Sequence, residues 1–239
     1  VRPYRAMPHE SGPLLDHLAS PYGVTEKASM FDRLAVLRAV AAALPDGAPV
    51  GTIETMTDEF LTRADVVALA ERGDWTHAVE YSTTELLALE QHLVTSALNR
   101  RDDRAGVVPV PVLLDAIAAR PGLADEQVAM VHRLCGAGAG VEVVNAAAGT
   151  GKTYALAAAR HAWEHAGYQV IGTAVAAKAA RELETAASIR SFTLARLTGD
   201  LTRNRLRLNP STIVVIDEAG MAGTRQLAPI LDATQAAGT

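Results

Sequence analysis

The sequence predicts an α/β fold, in which helices cover a parallel sheet, preceded by a mainly helical domain. From Leu123 onward, short β-branched runs alternate with helical stretches, which is typical of a parallel sheet with covering helices. Before that point, apolar residues recur at helical spacing. With 239 residues, 49% of them hydrophobic, the chain is long enough to bury a core in each part. We therefore predict a helical domain over residues 1–121 and an α/β domain over residues 122–239.

The elements of the helical domain follow from periodicity and from turn residues. The first helix is predicted to end at Pro45-Asp46-Gly47, since proline and glycine terminate helices. Ser82 and Glu85 have the spacing of a capping box, which predicts that a helix opens there. In chain order, the predicted elements are helices over 25–44 and 57–71, an extended piece at 77–81, a helix from 82 to about 100, a charged connector over 100–109, and a short helix over 112–119.

The elements of the α/β domain are shorter and more regular in their alternation. Strands are predicted where β-branched residues cluster, at 141–144, 168–171 and 212–216. Helices are predicted over 125–134, from the glycine-bearing loop to about 166, and over 178–186, 191–197 and 222–237. Because buried parallel strands lose their polar face, their sequences read as continuous apolar runs.

Composition excludes several classes of protein. A single cysteine, Cys135, cannot form an internal disulfide, which argues against a disulfide-framed secreted module and favours the cytoplasm. No apolar run approaches the ~18–20 residues that span a bilayer, and no signal peptide is visible at the start, so no membrane segment is expected. The net charge of −5 gives no support to nucleic-acid binding by the chain as a whole, although local basic patches could bind.

A glycine-bearing loop after the predicted strand 141–144 has the pattern of a phosphate-binding P-loop, with alanine in place of the first glycine. The glycines let backbone amides turn toward phosphate oxygens, and the following helix adds its positive N-terminus. Lys152 can reach the β- and γ-phosphates, and the Thr153 hydroxyl can bind Mg²⁺. Only three of the 22 basic side chains are lysines, so a chance match is rare. The residues predicted to bind the nucleotide are Ala146, Ala147, Ala148, Gly149, Thr150, Gly151, Lys152 and Thr153.

Two adjacent carboxylates follow the predicted strand 212–216. The end of such a strand faces the crevice where parallel sheets bind ligands. Asp217 is predicted to complete the Mg²⁺ shell, and Glu218 to accept a proton from the attacking water. The pair favours nucleotide hydrolysis over a structural role at a helix N-terminus, with Lys152 and Glu218 as the catalytic residues.

Four segments in this order resemble the RecD-like superfamily 1 DNA helicases, most of all the helicase portion of conjugative relaxase–helicases. Leu123-Ala-Asp-Glu-Gln127 resembles the family's nucleotide-base motif, and the P-loop follows it. Gly172 to Glu184 with Ile189 to Leu194 resembles the first DNA-contact motifs, and Asp217-Glu-Ala-Gly-Met221 resembles motif II. The likeness covers residues 123–239, about half of the chain. Ala176 departs from it, because relatives commonly place a hydroxyl residue there.

The resemblance implies an incomplete RecA-like P-loop NTPase domain that binds ATP and Mg²⁺, in a DNA helicase of the 5′–3′ type. Gln127 would read the adenine, and Lys178, Ser191 and Thr193 would contact single-stranded DNA. The family's γ-phosphate sensor and second motor domain, with its arginine finger, are not found among residues 1–239. We therefore expect this chain to bind ATP–Mg²⁺, to hydrolyse it weakly and not to unwind DNA.

Alternatives remain open at this point. The site could belong to a P-loop kinase, to a nucleotide-binding DNA-interaction module without turnover, or to a degenerate fragment. The arginine-rich segment 178–207, with a local charge of +4, could be a DNA-backbone track or a solvated surface. His161 and His165 have a zinc-compatible spacing but no evident third ligand. Trp75, Trp163 and Cys135 are interpreted as packing residues.

Overall fold

The computed structural model describes residues 11–69, 79–147 and 149–239. The chain divides into two compact units. The first comprises residues 1–92 with 223–225, and the second comprises residues 93–222 with 226–239. The predicted domain boundary at 121/122 lies within the second unit; as a statement about independent domains it stays a prediction.

The first unit is mainly helical, with a two-stranded antiparallel ribbon. Its core is built around three rings: Phe31 lies 5.9 Å from Phe60 and 6.1 Å from Tyr81 between ring centroids. Buried leucines of the first helix, among them Leu14 and Leu15, pack in the same cluster. The elements are α1 (Ser11–Ala19), α2 (Arg33–Ala43), α3 (Val50–Leu61), β1 (Val66–Ala68), β2 (Tyr81–Thr83) and the first part of α4 (Thr84–Asn99).

Two predicted helices of this unit have different bounds in the structure. The helix predicted over 25–44 starts only at Arg33, because the Asp32 carboxylate accepts a hydrogen bond from the Ala35 amide at 2.7 Å and caps it. The prediction of a helix over 57–71 is wrong: α3 ends at Leu61, and a strand begins at Val66. Most of the extended piece predicted at 77–81 lies outside the described residues.

The helix predicted to open at Ser82 begins at Thr84 as α4. Its cap is Thr83, whose hydroxyl oxygen accepts from the Leu86 amide at 3.3 Å. Ser82 instead donates to the Ser29 carbonyl at 2.9 Å, so the predicted capping box is wrong. The cap is therefore one residue later than predicted, because the Ser82 hydroxyl in β2 is hydrogen-bonded to a residue 53 positions away in sequence.

The second unit contains a three-stranded parallel sheet in the order β4-β3-β5. In register, Gly172 of the central strand lies opposite Ser191 on one side and Val215 on the other. The elements are α5 (Val110–Ala118), α6 (Asp125–Gly136), α7 (Lys152–His165), β3 (Gln169–Ala174), α8 (Ala177–Ala187), β4 (Ser191–Thr193), α9 (Leu194–Thr202), β5 (Thr212–Ile216) and α10 (Thr224–Ala237).

Side chains alternate between two cores along the strands, so both faces of the sheet are covered. Val170, Ile213 and Val215 pack in the cluster formed with α5, α6, α7 and α8. Ile171 and Val214 pack in the opposite cluster, to which α9 and α10 contribute. This explains the continuous apolar runs of β3 and β5, and it confirms the predicted α/β fold with a parallel sheet.

The predicted strand at 141–144 is wrong. Residues 141–147 have no regular structure, and within the described ranges they pair with no strand. Val143 is 75% exposed. A β-branched run becomes a parallel strand only where a neighbouring strand satisfies its backbone groups, and among the described strands β5 pairs only with β3.

The predicted helix over 191–197 begins three residues late, because Ser191–Thr193 pair with β3 as the edge strand β4. Thr193 then caps α9 through its hydroxyl. The helices predicted over 125–134 and 178–186 and the strand over 212–216 are confirmed. Within the described ranges, each helix is too short or too polar to span a bilayer.

Candidate nucleotide-binding site

The predicted phosphate loop leads directly into α7. Gly149 and Gly151 have φ angles of +77° and +73°, the left-handed region that glycine adopts most readily. The Gly151 carbonyl accepts from the amides of Tyr154 and Ala155 at 3.0 and 3.2 Å, which starts the helix. A Cβ atom at Gly151 would overlap the side-chain amide of Gln127. The backbone path of this loop therefore favours glycine at both positions; Ala148 lies outside the described residues.

Lys152 lies within the loop that it was predicted to serve. Its ammonium donates to the carbonyls of Ala146 and Ala147, both at 2.9 Å. The Thr150 hydroxyl also donates to the Ala147 carbonyl, at 2.9 Å. The cation is thus held by neutral carbonyls beside the N-terminus of α7, an arrangement in which phosphate oxygens would be stronger partners.

Gln127 connects the start of α6 to the loop. Its side-chain amide donates to the Thr150 carbonyl at 2.9 Å, and its side-chain oxygen accepts from the Ala124 amide at 3.1 Å. The structure therefore brings Gln127 to the phosphate loop, as a nucleotide-binding role requires. Its contact with adenine stays a prediction, and both ends of its carboxamide have protein partners here.

Asp217 and Glu218 follow β5 at the edge of the sheet. The Asp217 amide donates to the Thr173 carbonyl at 2.8 Å, which extends the pairing with β3 by one residue. The Asp217 carboxylate accepts from the Glu218 amide at 3.0 Å. Glu218 has a φ of +51°, which is unusual for a residue with a Cβ atom. Such backbone strain is common at functional sites.

The link between the phosphate loop and the acid pair is not made by polar contacts among the described residues. In the part of the chain that the structure describes, no hydrogen bond or salt bridge joins Asp217 or Glu218 to Lys152 or Thr153. Thr153 is half-buried in the first turn of α7, and Glu218 is exposed. The roles of Thr153 and Asp217 as Mg²⁺ ligands and of Glu218 as a base therefore stay predictions.

The geometry of the phosphate loop suits a nucleoside triphosphate. Two left-handed glycines make the curve, Lys152 supplies the cation, and α7 presents its N-terminus. A triphosphate with its Mg²⁺ is the group that this donor set suits.

Two of the three predicted DNA-contact residues have structural roles. The Ser191 hydroxyl donates to the Ile189 carbonyl at 2.7 Å, and the Thr193 hydroxyl accepts from the Arg196 amide at 3.2 Å. Lys178 is 82% exposed on α8, with Glu182 at 3.7 Å. The DNA contacts stay predictions; Lys178 is exposed, and Ser191 and Thr193 are partly exposed with one internal hydrogen bond each.

Of the other residues considered in the sequence, Trp163 and Cys135 are buried packing residues. Trp163 is buried and donates to the Gly106 carbonyl at 2.9 Å, whereas Trp75 lies outside the described residues. Cys135 is fully buried, and burial raises the pKa of its thiol to about 12, which favours the neutral thiol of a packing residue. The rings of His161 and His165 lie 4.0 Å apart, and the described residues contain no group of three metal-ligating side chains.

The sequence is similar to several bacterial conjugal transfer proteins. A TraA of Rhizobium radiobacter is 36% identical over 222 residues, which is 90% of this chain and 20% of that protein. A probable TraA of Sinorhizobium fredii is 40% identical over 161 residues, and a TraA of Agrobacterium fabrum is 37% identical over 158; each match covers 66% of this chain and 14% of the relative. The chain thus spans a fifth or less of the length of these relatives.

Residues 122–239 match the AAA domain family. This match begins just before Gln127 and includes the phosphate loop, the sheet and the acid pair. The expected likeness to the helicase portion of conjugative relaxase–helicases is confirmed by this match together with the TraA relatives. Residues 122–239 are thus similar to an AAA domain, within a chain whose relatives are conjugal transfer proteins.

Proposed function

We propose that residues 1–239 are the ATP-binding motor portion of a 5′–3′ type DNA helicase that forms part of a conjugative relaxase–helicase. The observation that carries the proposal is the loop itself: two left-handed glycines and Lys152 at the start of α7, in a segment that matches the AAA domain family. The TraA relatives support the link to conjugation. Single-stranded DNA is the proposed partner, and the cytoplasm is the proposed location.

The chemistry follows from the side chains at the loop and at the end of β5. Lys152 exchanges the carbonyls of Ala146 and Ala147 for triphosphate oxygens, because charged acceptors bind an ammonium more strongly. The Thr153 hydroxyl and the Asp217 carboxylate would hold Mg²⁺, which neutralises charge on the phosphate oxygens when bound. Glu218 orients a water molecule and accepts its proton.

Slow turnover is expected from residues 1–239 alone. In related nucleotide hydrolases, an arginine finger accelerates the reaction by about 10³–10⁵-fold. The resemblance assigns this arginine to a second motor domain, which is not found among these residues. The proposal is therefore ATP binding with weak hydrolysis and without unwinding.

ATP binding can be tested by thermal unfolding with and without ATP–Mg²⁺. A ligand at 100 times its Kd stabilises the folded state by about 2.7 kcal/mol, so a clear rise in Tm is expected. Lys152→Ala should abolish the rise, whereas the matched control Lys27→Ala, an exposed lysine of the first unit, should preserve it. An equal rise in both variants, or none in the unmodified chain, would contradict the proposal.

Turnover separates the motor from the alternatives. Slow phosphate release that single-stranded DNA stimulates and Glu218→Gln abolishes would support the motor. Phosphate transfer to an acceptor other than water would support a P-loop kinase. ATP binding without any release would support a nucleotide-binding DNA-interaction module.

A further inference from the structure

Two arginines on the edge of the sheet are held by one aromatic ring. Cζ of Arg190 lies 5.2 Å from the ring centroid of Phe192, and Cζ of Arg196 lies 4.8 Å from it. We call Arg190 and Arg196 the β4 arginine pair. The ring of Phe192 is partly buried against Leu194 and Leu197, so the core fixes its position. Cation–π contacts of this kind hold a guanidinium without neutralising it.

The charge of the β4 arginine pair is poorly compensated. In the described part of the chain, Arg190 has no salt bridge, and it is exposed. Arg196 is 65% exposed, and its salt bridge to Asp200 is long, at 3.6 Å. With the arginine N-terminal to the acid, this is also the less favourable order for a helical i,i+4 pair. Two cations thus share one ring and at most one distant carboxylate.

The position of Arg196 adds to this excess of positive charge. Arg196 lies in the first turn of α9, and that turn contains no acidic residue. The helix dipole places partial positive charge at this end, so a cation here is electrostatically unfavourable. Residues that raise rather than relieve local charge suit a site whose counter-charge comes from an anionic ligand.

We propose that the β4 arginine pair binds neighbouring phosphates of a single-stranded DNA backbone. This inference rests on the proposed function, which makes single-stranded DNA the partner. It adds two exposed guanidiniums to the predicted contacts of Ser191 and Thr193, whose hydroxyls each have one internal hydrogen bond. Each guanidinium has five N–H donors with a geometry that suits phosphate oxygens.

The ring of Phe192 has a positioning role in this site. The two guanidiniums occupy it and the core anchors it, so it holds the arginines and does not stack on a base. Because contacts to phosphate carry no sequence information, binding is independent of base sequence. A ring that limits the freedom of both arginines also reduces the entropy lost on binding.

The test is fluorescence anisotropy of a labelled oligothymidylate against the full chain without nucleotide, over a range of salt concentrations. For single strands, the slope of log K against log salt falls in magnitude by about 0.7 for each lost phosphate contact. The double variant R190Q/R196Q should therefore reduce the magnitude of this slope by about 1.4. It should also weaken binding about tenfold or more at low salt. The matched control is R205Q/R207Q, which removes two exposed arginines of the same segment that lie away from the ring. It should change the affinity by less than about twofold.

A second variant tests the ring without changing charge. Phe192→Leu keeps an apolar side chain in the core and both arginines, so binding should weaken by about threefold with an unchanged salt slope. Phe192→Tyr, which keeps an aromatic ring, should bind with the affinity of the unmodified chain. An equal loss in R190Q/R196Q and R205Q/R207Q would indicate a general basic surface and overturn the proposal, as would an unchanged slope in R190Q/R196Q.

The ATP-dependent rise in Tm distinguishes this proposal from the proposed function. R190Q/R196Q should retain the rise, because both arginines lie outside the phosphate loop. If the unmodified chain shows the rise but binds no oligothymidylate, the DNA site is overturned while ATP binding stands. If it binds DNA through the β4 arginine pair without any response to ATP, the proposed motor function fails and the site stands.

Discussion

At the scale of single residues, Glu218 combines a proposed role as the base in hydrolysis with an unfavourable backbone conformation. Its φ of +51° places it in the left-handed region, which costs a residue with a Cβ atom roughly 1–2 kcal/mol. Glycine avoids this cost but loses more entropy on folding. We expect Glu218→Gly to raise the free energy of unfolding by about 0.5–1 kcal/mol and to abolish ATP hydrolysis.

Urea denaturation and phosphate release measure the two effects separately. The control is Glu218→Gln, which keeps the strained backbone and should lose hydrolysis without gaining stability. A destabilised Glu218→Gly would show that the glutamate side chain, not the backbone, determines the stability of this turn.

Arg100 shows how the environment of one residue depends on distant contacts. In sequence it is the first residue of a charged connector, yet its side chain is only 6% exposed. It donates to Asp103 at 2.8 Å, to the Thr234 hydroxyl at 3.2 Å and to the Thr239 carbonyl. The end of α4 is thereby tied to α10 within the second unit. No local pattern distinguishes Arg100 from the exposed Arg101 beside it.

At the scale of elements, the approach of α8 and β4 to β3 depends on Gly172. A Cβ atom there would overlap the Ser191 hydroxyl and would lie 2.8 Å from Cδ2 of Leu183 and 3.0 Å from Cγ2 of Ile189. We expect Gly172→Ala to lower the free energy of unfolding by about 1–3 kcal/mol, since the core cannot accept the added methyl group without shifting.

Gly136 on α6 is the matched control, because its Cβ atom would meet nothing within 4 Å. Gly136→Ala should stabilise the protein by up to about 1 kcal/mol through helix propensity. Urea denaturation of both variants provides the comparison. Similar effects of the two changes would argue against close packing at Gly172.

At the scale of the whole molecule, acid stability should reflect two ion pairs of the first unit. A hydrogen bond from Arg225 holds the pKa of Glu85 below its ordinary value of 4.5, and one from Arg63 holds that of Asp65 below 3.8. At a pH above these ordinary pKa values, both carboxylates are charged and stabilise the folded state. This contribution is lost as the pH falls further and the folded protein takes up protons.

We expect the midpoint of urea unfolding to fall as the pH decreases below about 4.5. Glu85→Gln removes one of the two carboxylates and should make this fall shallower. The control Glu184→Gln, an exposed residue of α8, should leave it unchanged. An identical pH profile for Glu85→Gln and the unmodified chain would show that the pair with Arg225 contributes nothing to folding.

The sequence by itself determined the parts of the protein that are local in the chain. The phosphate loop could be predicted because Gly149, Gly151 and Lys152 are neighbours, and left-handed glycines before a helix have a recognisable pattern. The same holds for the acid pair, which follows directly from the end of β5. Periodicity also predicted α6 and α8, because an amphipathic helix needs only its own hydrogen bonds and one packed face.

Only the tertiary structure decided features that need a partner far away in sequence. The run at 141–144 has strand-forming residues, but no strand of the described residues pairs with it. Gln127 lies against Thr150, and Ser82 bonds to Ser29 in place of capping α4. The β4 arginine pair meets on Phe192 only because β4 turns directly into α9. Residue type and spacing encode local conformation, whereas strand pairing and side-chain contacts depend on which segments folding brings together.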